Sequence, residues 1–193
     1  MTKVLLTGFE PFGTATSNPS GEIVKQISGD NIVTAILPVT YAQSAERLLS
    51  LIDQHNPDVV ICLGQAEGRT QITPEKVAIN LDDARLPDNA GVIRSDVKIL
   101  DNGPDAYFTA LPIQEMIEAI KAAGVPASVS LSAGAFLCNH VFYIAQNKFA
   151  GSNVRSGFVH VPLMDSQAPE FPGLPTMPLD QMVKAVRAML EVL

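Results

Sequence analysis

No hydrophobic run in this sequence approaches the roughly 20 residues a membrane-crossing helix needs. The opening MTKVLLTGFE is too short in apolar residues for a secretory leader and reads as a strand. Basic residues are few and dispersed: 13 Lys and Arg stand against 20 Asp and Glu, for a net charge of −7. Nucleic acid and anionic membranes are therefore not expected partners. With only two cysteines in 193 residues and no export signal, a disulfide framework is not expected. Both thiols should be reduced, and the expected location is cytoplasmic. The three histidines are widely separated, with no HxxxH or CxxC spacing, so no metal site is expected. A P-loop, a GxGxxG turn and a GxSxG elbow are missing as well, and no cofactor is expected. There is no internal repeat, no low-complexity tract and no linker long enough to divide the chain.

What is present is core material. Hydrophobic residues make up 47% and charged residues 17%, enough for one α/β domain covering residues 1–193. KVLLTGF, IVTAILPV and VVICL read as strands over 3–9, 32–39 and 59–63, the last as continuously apolar as a central strand. Ser20 is the expected cap of a short helix. Thr40 precedes a 3.6-residue stripe of Ala45, Leu48, Leu49 and Ile52 that should stop before Asn56-Pro57. Further helices are expected over 111–123, stopped by Gly124, and over 137–147 and 179–193. Strands are expected over 127–131 and 158–162, and QITPEKVAIN as an extended ribbon. Strands alternating with helices predict a mostly parallel, twisted sheet covered by helices on both faces.

Cys138 opens a helix after a Ser-Ala-Gly turn, where free N–H groups and the positive helix end favour a thiolate. A small buried core residue is the competing reading. Cys62, mid-strand among Val, Ile and Leu, reads as buried. His140 lies two residues on, about 200° around the helix from Cys138, and so cannot easily take its proton. His55, at a helix end, interacts with the helix dipole. By elimination His160, in FVHVP at the carboxyl edge of a strand, is the candidate base; a structural histidine is the alternative. The polar stretch 64–91 is long and polar enough to read as either functional or disordered, and VAIN within it favours order. Within it, Glu75 follows Pro74 and is placed to orient an imidazole, or is a solvated surface carboxylate. Arg85 either polarises a carbonyl or pairs with Asp82 or Asp83.

Four segments in order, LLTGFEPFG with SNPS, ITPEKVAIN with DAR and PDN, SAGAFLCNHVFY, and GFVHVP, resemble the pyroglutamyl peptidase I family of cysteine peptidases. The likeness runs from residue 3 to about 162, with a plausible final helix behind it. It implies Cys138 as nucleophile, His160 as base and Glu75 as the third triad member. It implies a pocket from the loop 9–19, including Phe9, Phe12 and Asn18, with Phe136 opposite, groups near Gln65 reading the substrate, and Arg85 beside the reacting carbonyl. The sequence departs from the family pattern at Glu67, where a second glycine is usual, and at Lys76, where arginine is common. Its tail after Pro162 is short. Glu67 is expected to point to solvent or pair with Arg69.

The resemblance implies peptides with N-terminal pyroglutamate as substrates and a homo-oligomer, commonly a tetramer in bacteria. Pyroglutamate is a neutral lactam, so its pocket should be apolar walls with a few hydrogen-bonding groups rather than carboxylates gripping an ammonium. The competing readings are a related thiol amidase with altered N-acyl specificity, and a non-catalytic binding homologue. The latter should lack a triad member, and none is missing.

Overall fold

The computed structural model describes residues 2–193. At its centre is a five-stranded sheet in the order β2-β1-β3-β7-β4, formed by β1 (Val4–Phe9), β2 (Ile32–Leu37), β3 (Val59–Gln65), β4 (Thr73–Pro74) and β7 (Arg155–Val161). The pairings β1–β2, β1–β3 and β3–β7 are parallel; only β4 runs antiparallel, beside β7. Because strand side chains alternate faces, each central strand feeds two cores. Val59, Ile61 and Leu63 of β3 and Val159 and Val161 of β7 enter one; Val60, Cys62 and Phe158 enter the other. Burial on both faces is why these strands read as unbroken apolar runs.

On the first face pack α1 (Pro19–Val24), α3 (Ile113–Ala122) and α5 (Leu179–Leu190), through residues such as Ile23, Met116 and Val186. On the second lie α2 (Tyr41–His55) and α4 (Leu137–Lys148), through Leu48, Leu51, Val141 and Phe142. Two small additions complete the fold: a hairpin-like pair of β5 (Val77–Ile79) and β6 (Ala106–Phe108), and a parallel pair of β8 (Leu163–Met164) and β9 (Thr176–Met177). Among the described residues no helix is long and apolar enough to cross a membrane. β2 lies to one side of β1 and β3 to the other, so the chain reverses its direction of winding between β1 and β3. At such a point the loops leaving two neighbouring strands splay apart and leave a crevice.

The expected elements need three corrections. The cap of α1 is Asn18, whose Oδ1 accepts from the Ser20 amide at 3.1 Å with Pro19 at the first helical position. Ser20 instead donates its hydroxyl to Asn18 and accepts the Phe9 amide. Segment 127–131 is not a strand. It runs alongside 72–76 through bonds from Ile72 N to Pro126 O, Ser128 N to Ile72 O, Ser130 N to Pro74 O and Lys76 N to Ser130 O. Pro74 has no N–H to donate in the middle of that series, so the ladder reduces to isolated bridges. The final helix stops at Leu190 rather than Leu193. Elsewhere the capping signals hold: Thr40 Oγ1 accepts from the Gln43 amide, and Gly124 takes a φ of +79° behind α3.

Candidate active site

Gly64 is where the site begins. It is paired with His160 across β3 and β7, and both lie on the face covered by α4. A Cβ at Gly64 would sit 2.9 Å from Sγ of Cys138 and 2.6 Å from the Phe158 ring. The missing side chain is thus the space the sulfur occupies. Strands in register stand about 4.8 Å apart, so the thiol rests over the strand next to His160 and on the same face. Phe158, two residues before His160, packs its ring 4.8 Å from the imidazole, flooring the gap.

His160 is buried, and its Nδ1 lies 2.7 Å from Oε1 of Glu75, a carboxylate withdrawn fully from solvent. The antiparallel pairing of β4 with β7 delivers Glu75, whose amide bonds to Phe158 O at 2.9 Å. That bond assigns the proton to Nδ1 and leaves Nε2 as the free acceptor. Burial lowers the His160 pKa most, Arg69 adds to the lowering, and Glu75 opposes it. No hydrogen bond joins the thiol to the ring in this resting arrangement.

The thiolate expectation is reversed. Burial pushes the Cys138 thiol well above its ordinary range, and the Glu75 charge pushes the same way. Arg69 and a backbone hydrogen bond at Cys138 itself oppose both. Cys138 is half-buried, at the second residue of α4, and desolvation outweighs the helix end. Both shifts favour a neutral thiol beside a neutral imidazole at rest. Cys62 is fully buried, as its setting predicts, and its thiol is pushed up to about 12. At the start of α4, the first intrahelical bond is from His140 N to Phe136 O. The amides of Leu137, Cys138 and Asn139 have no partner one turn back, so they are open to an oxyanion beside the sulfur.

A pocket of about 300 Å³ opens at the splayed ends of β1 and β3, lined by Phe9, Phe12, Asn18, Val39, Gln65, Glu67, Leu86, Phe136, Leu137 and Cys138. Phe12 and Phe136 close on each other with ring centroids 5.2 Å apart. Of the residues singled out in the sequence, Phe9, Phe12, Asn18, Gln65 and Phe136 meet here with Cys138, while Glu75 and His160 sit behind the sulfur. Asn18 is at the wall, but its Oδ1 is occupied by Ser20 and its Nδ2 bonds to Glu10 O at 3.0 Å. Arg85 is exposed, lies outside the pocket lining and does not pair with Asp82 or Asp83. Asp82 is held instead by Arg94 at 2.6 Å and by Nδ1 of His140 at 2.9 Å. Arg94 also stacks on Tyr41, whose ring meets Phe136 edge-on. His140 therefore braces the pocket wall from behind and takes no part at the sulfur. Glu67 is exposed at the pocket mouth and is not paired with Arg69.

Three residues of the site were not singled out by sequence. Arg69 bonds Glu75 Oε1 at 2.9 Å, the Thr73 hydroxyl, and Ser132 O at 3.2 Å, tying the carboxylate to the loop that leads into α4. Asn139 clamps α4 to the 79–81 segment through Ile79 N, Ile79 O and Leu81 O. Gln167, fully buried, reaches Gln65. For Asn139 the signal was present: an amide directly after the cysteine, on a helix face otherwise apolar. Among the described residues no cluster of side chains could hold a metal ion.

Comparison with known proteins matches the family described as pyroglutamyl peptidase over residues 2–193. The chain is 47% identical over 192 residues to the pyrrolidone-carboxylate peptidase of Escherichia fergusonii, covering 96% of this chain and 90% of that one. It is 48% identical to the same-named protein of an Enterobacter species, covering 100% and 91%. Among solved structures, pyroglutamyl peptidase I from Bacillus amyloliquefaciens superimposes with a TM-score of 0.94 at 44% identity, over 97% of this chain and 92% of that one. The pyrrolidone carboxyl peptidase of Fervidobacterium islandicum gives 0.92 at 42% identity, over 99% and 97%.

Proposed function

The chain belongs to the pyroglutamyl peptidase family, and on that premise we propose that it is a cysteine-type hydrolase that removes an N-terminal pyroglutamyl residue from peptides. Cys138 is the nucleophile, His160 the general base and acid, and Glu75 the residue that orients the ring. The observation that carries this reading is the line Glu75–His160–Gly64–Cys138. A 2.7 Å carboxylate–imidazole bond stands on one side of a glycine whose vacant side-chain position holds the sulfur.

Nε2 of His160 takes the thiol proton as sulfur attacks the pyroglutamyl carbonyl carbon, so charge separates only as the bond forms. The carbonyl electrons move to oxygen, which the free amides at the start of α4 receive. The tetrahedral species collapses, the C–N bond breaks, and His160 returns the proton to the departing amine. A water molecule, deprotonated by the same nitrogen, then cleaves the thioester and releases pyroglutamate. Phe9, Phe12 and Phe136 supply the apolar walls for the ring, and Gln65 supplies a polar contact. Arg85 lies outside this set. We further propose a cytoplasmic location, where both thiols remain reduced, and assembly with further copies of the same chain.

The test is hydrolysis of pyroglutamyl-aminomethylcoumarin with and without an alkylating thiol blocker. The wild-type enzyme should lose activity on blocking, and Cys138→Ala should fold with an unchanged melting temperature yet turn over nothing. An active alanine variant rules the mechanism out.

A further inference from the structure

Gln167 follows β8 in a short 3-10 turn and is fully buried, and both ends of its amide are committed. Its Oε1 accepts the Met164 amide at 2.9 Å. Its Nε2 donates to Ser17 O at 3.2 Å and to Oε1 of Gln65 at 3.0 Å. The identity of each atom is forced by its partners. An amide N–H requires oxygen facing it, which puts nitrogen on the other limb of Gln167; that nitrogen is confirmed by the carbonyl of Ser17, which can only accept. The Gln65 atom facing this nitrogen must then be an acceptor, so it is oxygen. A flipped Gln65 would set two NH2 groups against each other in a buried place.

One consequence concerns the pocket. Gln65 is one of its lining residues, and Gln167 is not. With its oxygen held on the Gln167 side, Gln65 has only its NH2 left to offer, and no group among the described residues engages it. Resting on the peptidase reading above, we propose that Gln167 is a positioning residue for specificity: it fixes Gln65 as a hydrogen-bond donor that reads the ring carbonyl of the pyroglutamyl group. The ring carbonyl is what separates pyroglutamate from a plain five-membered ring. A ring without it leaves the NH2 desolvated and unpaired, and a site built to bond one group discriminates strongly against the analogue lacking it. The same amide also ties together the loop carrying Phe12, through Ser17, and the end of β3.

Three acyl-aminomethylcoumarins separate the roles: pyroglutamyl; 3-oxocyclopentanecarbonyl, which keeps the ring carbonyl and replaces the lactam N–H by CH2; and cyclopentanecarbonyl, which lacks both. Gln65→Met and Gln167→Met should each lower kcat/KM roughly tenfold on the two ring-carbonyl substrates, mainly through KM. Neither should lower cyclopentanecarbonyl turnover, because that ring makes no bond to the Gln65 NH2 and Gln65→Met removes the group it leaves unpaired. The double variant should lose little more than either single one, because the two amides act as a unit. Gln65→Glu, with a half-buried side chain that tolerates change, replaces the donor by an acceptor. It should lose the same two substrates and keeps the test decisive if Gln167 variants do not fold. Equal losses on all three substrates, or no loss on the ring-carbonyl pair, overturns the inference. Failure of the wild-type enzyme to cleave pyroglutamyl-aminomethylcoumarin overturns the peptidase reading itself, which is a distinct result.

Discussion

Burial and the Arg69 guanidinium both favour a neutral His160, and Glu75 favours the charged ring, with burial the largest of the three. The charged groups facing the imidazole are these two, and the Cys138 thiol adds a third titratable neighbour. His160 can act as the proposed base only when Nε2 is unprotonated. Because the folded-state pKa is lowered, the acid limb of kcat/KM should fall below the roughly 6.5 of a free histidine. Two substitutions should move that limb in opposite directions. Arg69→Met removes an influence that lowers the pKa, so the limb shifts to higher pH; Glu75→Gln removes one that raises it, so the limb shifts lower. Glu75→Gln should also cost kcat on the order of 10²-fold, because the amide presents a weaker acceptor to Nδ1–H and no charge to the imidazolium that forms during attack. A pH–rate series on the three proteins decides this. Limbs that stay together would show that neither side chain acts on His160.

At the level of strands and helices, the site depends on an empty side-chain position in β3, which the Cys138 sulfur and the Phe158 ring fill. Gly64→Ala would place a methyl group 2.6 Å from the Phe158 ring and 2.9 Å from Sγ of Cys138. Either α4 lifts from the sheet or Phe158 turns out of its rotamer, at a cost of about 1–3 kcal/mol. The expected outcome is a lower melting temperature with kcat reduced well beyond what the lost stability explains, measured by thermal denaturation and by turnover at saturating substrate. The central strands and the long helices were visible in the sequence because each depends on a local signal: continuous apolar runs in β1 and β3, Thr40 ahead of α2, Gly124 behind α3. The ribbon around β4 was half visible, since QITPE does extend, but the effect of Pro74 on 127–131 emerges only when the two segments lie side by side. In the site, Cys138 and His160 stood out because this chain has only two cysteines and three histidines, and Glu75 because it follows Pro74 in a long polar stretch. Gln167 meets Gln65 across 102 residues, and no pattern in a single sequence marks such a partner. The ionisation of Cys138 went the other way from expectation because helix position is written in the sequence and desolvation is not.

Seen as a whole, the molecule keeps its chemistry at one end, where β1 and β3 part, and leaves an unused apolar surface elsewhere. Lys76 donates to Ser130 O on one side and accepts the Thr109 amide on the other, so segment 127–131 and the end of β6 flank the same short stretch. Phe108 and Leu131 are each 71% exposed and Val129 is 42% exposed. Scattered surface apolar residues need no explanation, whereas a Phe and a Leu this open on two segments that flank one stretch are costly to leave in water. Segment 127–131 and β6 are also short extended pieces with backbone groups left to pair. A second copy of the chain would satisfy both demands, so this surface is where the proposed assembly is expected to form. Light scattering coupled to gel filtration should therefore report a mass above the 20.6 kDa of one chain. Phe108→Asp combined with Leu131→Asp should return the protein to one chain, because two carboxylates at the centre of a shared surface would be desolvated against their own copies. The charge-altered protein should keep its fold, since neither side chain enters either core. A monomeric wild-type protein would overturn the proposed assembly, and an oligomer indifferent to both aspartates would move the contact to another face.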